Sequence, residues 1–405
     1  MISYDEAFAI IMDNICIGKK TQLPLVECLG KVAAHAVFAP RNVPSFANSA
    51  MDGFAVRAAD LEQATPAHPV RLPIIDTIGA GDNIAQIAAV GVAHIMTGAK
   101  IPNGFDAVVQ IENVKISSGN AEFSAPAPLG QNIRESGQDV VLGQEIVKSG
   151  VTINAEIIML LAAVGIANLE VFQAAKLQIF STGNEIIDYN EPELPLGKIY
   201  NSTAPYLLAR AKEIGVEATY GGVVADDAAL FEKLIAQIPS GNIIITTGAV
   251  SMGKWDFIPQ SLSKLGAKIH FHKVNIRPGK PIIFATLPNG NLFFGLPGNP
   301  ISSAIGFKFF VEPALRAIGG KSQTVTIKAK LENSFTKAGN FRQFVKAITK
   351  IQGSQVVTII TKGQESFKIS PMAAANSWAI LPESASQFSA GEEIEIVPFG
   401  AEFGF

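Results

Sequence analysis

Hydrophobic positions change their period several times along the chain, and each change marks a different kind of structure. Near the start, Ser3 and Glu6 have the S-x-x-E spacing of a capping box, and Phe8, Ile11 and Ile15 follow on one helical face. Beyond Pro40 the apolar runs become short and are broken by Gly, Pro and Asn as far as Gly150, which predicts β structure with long loops. A second helix is expected over 154–164, closed by Gly165.

From Lys176 to Gly320 strand-like and helix-like stretches alternate. Strands are expected at 177–180, 223–225, 242–246 and 292–295. Helices are expected at 204–214, at 226–238 with Asp226 as its cap, at 256–265 and at 301–318. This alternation implies a parallel sheet covered by helices. After Gly319-Gly320 the period falls to two: Val325, Ile327, Ala329 and Leu331 alternate with polar residues. Similar runs recur near 344–348, 356–360 and 394–397, as in a small antiparallel barrel. The expected fold class is therefore α/β multidomain, with a β-rich N-terminal region and a C-terminal β-barrel.

At 405 residues the chain exceeds one ordinary core. A net charge of −3, with cations scattered, offers no footprint for nucleic acid or for an anionic membrane. Residues 1–6 lack a basic signal region, and the longest apolar stretches, such as 157–164, are of core-helix length. A cytoplasmic protein acting on a small molecule is the expectation. Cys16 and Cys28 form neither a disulfide framework nor a CxxC site.

In an open parallel sheet, ligands bind beyond the carboxyl ends of the strands. Three loops at such ends carry unusual residues. Ser181-Thr182-Gly183-Asn184-Glu185 combines hydroxyls, a glycine and a carboxylate. Residues 246–253 carry Gly248, Ser251 and Gly253, where backbone could approach an anion, and Asp256 follows near the next helix start. Pro297-Gly298-Asn299-Pro300 opens a helix, and a helix start favours anions. Upstream, Arg277-Pro278-Gly279-Lys280-Pro281 places two cations on one turn. Outside this segment, the stretches around Asp52-Gly53 and Arg134–Asp139 each pair an acid with a glycine, as a metal or substrate loop would. Each of these alone could be an ordinary turn or cap. His270 and His272 share a strand face, but no third ligand lies near in sequence, which argues against zinc. No P-loop or nucleophile elbow occurs, and Gly79-Ala80-Gly81 lacks the third glycine of a dinucleotide fingerprint.

The stretches AMDGFA, MTGAKIPNGFDAVVQIE, NIRESGQD, STGNE, TTGAVSMGKWD, RPGKP and GLPGNPIS, in this order over residues 50–303, resemble the MoeA family of molybdopterin molybdenumtransferases. Ala375-Asn376 also fits that family's last domain. The resemblance implies an elongated homodimer with an N-terminal helical domain at 1–40 and 140–175 and an inserted β-rich domain at 41–139. An α/β molybdopterin-binding domain at 176–320 and a β-barrel at 321–405 complete it. It implies adenylylated molybdopterin and molybdate as substrates, Mg²⁺ as cofactor, and AMP as product. A molybdopterin adenylyltransferase is the implied partner.

Position by position, the resemblance implies a carboxylate set of Asp52, Asp139, Glu185, Asp226 and Asp256, with Glu185 and Asp256 holding Mg²⁺. Thr97 and Arg134 would touch substrate, together with Ser181, Thr182, Gly183, Gly248, Ser251, Pro297, Gly298 and Asn299. Arg277, Lys280 and Ser302, with Arg342 and Ser370 from the barrel, would meet molybdate. Asp52, Arg134 and Asp139 of one protomer would face the α/β domain of the other. The sequence departs from the family pattern at Asn184, where an acid is usual, at Ala249, where glycine is usual, and at Arg277, where lysine is usual. The competing readings are a gephyrin-like scaffold without activity, the adenylyltransferase itself, and a CinA-like enzyme of the same α/β class. The N-terminal motifs argue against the two enzymes, and the absence of an attached adenylyltransferase segment argues against the scaffold.

Overall fold

The computed structural model describes residues 1–82, 90–250 and 257–400. Ser251 and Asp256 lie outside the described residues. The chain forms two compact units: Gln22–Leu29 with Ala33–Glu170, and Met1–Thr21 with Gly30–Val32 and Val171–Phe405.

The smaller unit centres on a six-stranded sheet in the order Ala107–Gln110, Gly53–Val56, Val92–Ile95, Val70–Ile78, Asn120–Phe123 and Val114–Ser117. Phe54 and Phe123 are fully buried against one another in its core, their rings edge to face 6.2 Å apart. The expected second helix is present as Ala155–Ala163. Asn154 Oδ1 accepts from Ile157 N at its start, and Gly165 follows at φ +78.

In the larger unit, the N-terminal helix Tyr4–Asp13 begins with the expected reciprocal Ser3–Glu6 capping box. The alternating segment forms a six-stranded sheet in the order Ala218–Val224, Lys176–Thr182, Asn242–Thr247, Leu292–Leu296, Ile283–Thr286 and Lys268–His272. The first four strands are mutually parallel, as expected. The last two are antiparallel additions: Lys268–His272 is the strand on which His270 and His272 share a face, and Ile283–Thr286 has no counterpart among the expected strands. Strands 242–247 and 292–296 are buried along their lengths, and their apolar side chains fill the cores on the two faces of the sheet.

Two expected helices differ in detail. The helix after strand 218–224 is Ala228–Ala236, and its cap is Asp227, whose carboxylate accepts from Ala229 N and Leu230 N. Asp226, the expected cap, is thereby left free of that role. The final helix is interrupted: Pro300–Gly306 and Glu312–Ile318 are α-helical, and Phe307–Val311 between them has π geometry.

The C-terminal strands Arg342–Gln352, Gln355–Ile360, Ile327–Leu331, Glu393–Pro398 and Ser377–Leu381 pair in that order, and the last returns to the first. The ring is thus a closed five-stranded barrel with no free edge. Strand Ser377–Leu381 has no counterpart among the expected runs. No helix among the described residues is long and apolar enough to cross a membrane.

Candidate functional site

The register of the parallel strands decides where the loops meet. Ser181 pairs with Thr247, Thr247 with Leu296, and Thr182 with Val224, so four strands end level. The chain leaves strand 176–182 towards one neighbour and returns to the other side at strand 242–247. The sheet order reverses there, and such a switch point opens a crevice. A cleft of about 720 Å³ lies at this edge. Ser181, Thr182, Gly183, Glu185, Asp226, Gly248, Gly298 and Asn299 all line it, so four separate loops contribute.

A chain of hydrogen bonds runs from its floor, buried at Ser181, Thr182, Thr247 and Asn201 and part-buried beyond. Thr182 Oγ1 donates to the Thr247 carbonyl at 3.1 Å, and Thr247 Oγ1 to Ser181 Oγ at 3.3 Å. Asn201 Nδ2 donates to Ser181 Oγ at 2.9 Å and to the Tyr220 hydroxyl at 2.8 Å. The Tyr220 hydroxyl donates onward to Asp188 Oδ1 at 3.0 Å. Burial pushes that hydroxyl above its ordinary pKa, so it remains a donor. Each bond nets about 1 kcal/mol, but the chain also fixes where every cleft hydroxyl stands. Asn201, Ser202 and Thr203 line the cleft too. They were visible in sequence only as a polar run before a helix.

The glycines act through the side chains they lack. A Cβ on Gly183, at φ +133, would stand 2.7 Å from Glu185 Oε2, so the bare backbone lets that carboxylate fold back over the loop. A Cβ on Gly248, at φ +100, would stand 2.7 Å from Thr182 Oγ1. The Gly248 N–H donates to the Leu296 carbonyl at 2.9 Å and is therefore not an anion donor. Ala249 adopts φ +52, a left-handed conformation that glycine takes at less cost. Asn184 Oδ1 accepts from Asp226 N at 3.5 Å, and its carbonyl accepts from Lys198 Nζ. The departure at Asn184 therefore ties two cleft loops together.

Glu185 and Asp226 both line the cleft. No group of three or more His, Cys, Asp and Glu stands ready to hold a metal among the described residues. The donors present are hard oxygens, carboxylates with hydroxyls beside them. They suit a cation such as Mg²⁺, which takes one or two carboxylates and completes its shell with water and phosphate. His270 and His272 are engaged otherwise, with Thr286 Oγ1 at 2.9 Å and the Val250 carbonyl at 2.8 Å.

Arg277 lines a second cleft of about 620 Å³ on the barrel side, with its guanidinium 5.6 Å from the centre of the Phe341 ring. The turn bearing Arg277 and Lys280 packs on the helix holding Ser302: a Cβ on Gly279 would stand 3.5 Å from the Ser302 carbonyl oxygen. Lys280 is exposed, Ser302 buried, and Ser370 exposed at the start of helix Ser370–Ala374. Arg342 is bidentate to Asp5 at 2.7 and 2.9 Å, and its Nε donates to Glu383 at 3.2 Å. It also lies over the Tyr4 ring at 4.7 Å.

In the smaller unit, Asp52 and Thr97 meet. Asp52 Oδ1 accepts from both Thr97 Oγ1 and Thr97 N at 2.7 Å. The hydroxyl first, then the amide, hold that carboxyl below its usual pKa. Arg134 pairs with Asn48 in a two-stranded ribbon next to the Asp52 loop and is exposed. Asp139 is exposed, with its N–H donating to the Val43 carbonyl at 2.9 Å.

Residues 2–165 match the MoeA N-terminal region (domain I and II), 178–317 a probable molybdopterin binding domain, and 328–399 the MoeA C-terminal region (domain IV). A molybdopterin molybdenumtransferase of Synechococcus elongatus is 36% identical over 98% of this chain and 99% of its own length. One from Bacillus subtilis is 32% identical over 100% of this chain and 95% of its own. The solved structure of a molybdopterin biosynthesis MoeA protein from Pyrococcus horikosii superposes with a TM-score of 0.83 at 30% identity, covering 99% of this chain and all of that one. With matches that run from residue 2 to residue 399 and relatives alike from end to end, the chain belongs to the MoeA family.

Proposed function

We propose that this chain is a molybdopterin molybdenumtransferase: it joins molybdate to the dithiolene of adenylylated molybdopterin and releases AMP. The observation that carries the reading is the cleft at the switch point, where four level strand ends supply hydroxyls, bare glycines and the Glu185 and Asp226 carboxylates. The sulfurs that take the metal belong to the pterin, which suits a chain whose cysteines, Cys16 and Cys28, do not line the cleft.

Ser181, Thr182 and Thr247 would bind the phosphate region, and Pro297, Gly298 and Asn299 would close over it at the start of the helix. Glu185 and Asp226, with Asp256, would hold Mg²⁺, which when bound neutralises charge developing on the pyrophosphate. Arg277 and Lys280 would receive molybdate by charge and fork geometry, with Ser302, Arg342 and Ser370 around them. Asp52, Thr97, Arg134 and Asp139 would act from the other protomer of a homodimer. The four-domain division expected from sequence, a cytoplasmic setting and a molybdopterin adenylyltransferase partner belong to the same reading. AMP release from adenylylated molybdopterin, followed with and without molybdate, tests it. Molybdate-dependent release at catalytic turnover supports the reading, and none at saturating Mg²⁺ and substrate overturns it.

A further inference from the structure

Phe367 is 65% exposed although its loop is firmly held. Lys346, itself without exposed surface, donates from Nζ to the carbonyls of Gly363 at 2.6 Å, Lys368 at 3.1 Å and Glu365 at 3.4 Å. The Gln364 side chain bonds the Lys346 backbone in both directions at 2.9 Å. The Ser366 carbonyl accepts from Ile301 N at 3.2 Å, which moors the loop to the helix that starts at the cleft. A loop pinned at both flanks that still presents a phenyl ring to solvent leaves apolar surface uncovered, and a flat partner would cover it.

Among the described residues, Phe367 alone lines both the 720 Å³ cleft of the sheet edge and the 620 Å³ cleft that holds Arg277. The first offers carboxylates and hydroxyls suited to phosphate and cation. The second offers the guanidinium of the oxyanion turn. A substrate with a flat nitrogen heterocycle at each end and phosphates between them would meet this ring as it passes from one cleft to the other. We propose that Phe367 is a positioning residue on which one heterocycle of the substrate stacks, setting how the molecule is shared between the two clefts. This rests on the functional reading above, because it takes adenylylated molybdopterin as the occupant.

The two heterocycles, adenine and pterin, are separated by probe. Calorimetry with AMP reports the adenine end and calorimetry with neopterin the pterin end, for the full-length protein and for Phe367→Leu and Phe367→Trp. Leucine keeps apolar bulk and removes the flat face, so it is expected to weaken one probe about tenfold, and tryptophan to restore it. In turnover the leucine variant is expected to raise KM for adenylylated molybdopterin more than it lowers kcat. Circular dichroism matching the parent confirms that the exposed position has not cost the fold. If the parent binds a probe and Phe367→Leu binds both as tightly as the parent, the stacking role is overturned while the functional reading stands. If the parent binds neither probe, the reading of the cleft falls and the stacking role with it.

Discussion

Gly183 and Glu185 share a space that admits only one of two things: the Glu185 carboxylate, or a Cβ on residue 183. The distance from that hypothetical Cβ to Glu185 Oε2 is 2.7 Å, and the carboxylate is the mobile partner. Gly183→Ala is therefore expected to fold, with strain of roughly 1–3 kcal/mol at φ +133, and to push Glu185 out of place. AMP release should fall at least as far as in Glu185→Gln. Normal turnover in Gly183→Ala would mean that the position of Glu185 is immaterial.

Gly248 and its neighbour Ala249 separate backbone strain from cleft chemistry. Gly248→Ala meets Thr182 on both Oγ1 and the carbonyl oxygen, at 2.7 and 2.8 Å, and holds φ +100. A loss of roughly 1–3 kcal/mol from the backbone alone is expected. Ala249→Gly, at φ +52 beside it, relieves strain but frees the unfolded chain, and should stay within about 1 kcal/mol of the parent. Urea unfolding of both variants measures the contrast, and equal midpoints would show that the loop opens at will.

The bonds from Thr97 to Asp52 set an acid-side dependence. Because the folded carboxyl lies below its usual pKa, its contribution is present above the unfolded value and is lost as pH falls through the folded one. Thr97→Val removes the hydroxyl and should move the Asp52 carbon resonance titration upward, towards an ordinary aspartate. An unchanged titration would show that the amide alone holds it.

Tyr4 gives a test at the alkaline end. Burial raises its hydroxyl from 10.0 to about 12, with the Arg342 charge opposing part of the rise. Its contribution is intact below 10 and is lost as pH rises through the folded value, by roughly 2–3 kcal/mol. Between pH 9 and 11 the parent should lose more stability than Tyr4→Phe, which cannot ionise. Parallel losses would mean that Tyr4 ionises freely.

What could be read along the chain was whatever acts locally. The Ser3–Glu6 box, the helix closed by Gly165 and the period-two runs at 327–331 and 394–397 are short-range signals, and each stands as expected. Asp226 and Asp227 are equally good caps by type, and only the backbone turn at Ala225 decides between them. Strand 283–286 escaped because a short apolar run that ends up buried carries no alternation to mark it, and the antiparallel direction of 268–272 is set by its partner and not by its own residues. The hold on Arg342 comes from Asp5, 337 positions away, which no window along the chain can reveal. Phe367 belongs to no periodic run, so nothing local marks it.

Barrel closure also bears on how the polypeptide is made. Strand Glu393–Pro398 supplies the pairing between Ile327–Leu331 and Ser377–Leu381, so a ribosome must finish that stretch before the ring can exist. Until then the growing chain carries two unpaired strand edges, a state open to wrong partners. The mixed sheet has all six strands by Leu296, but one of its faces is covered by later residues, among them Ile301, Ile305, Phe310 and Leu315. Synthesis thus delivers the strands of the sheet before those that close the ring.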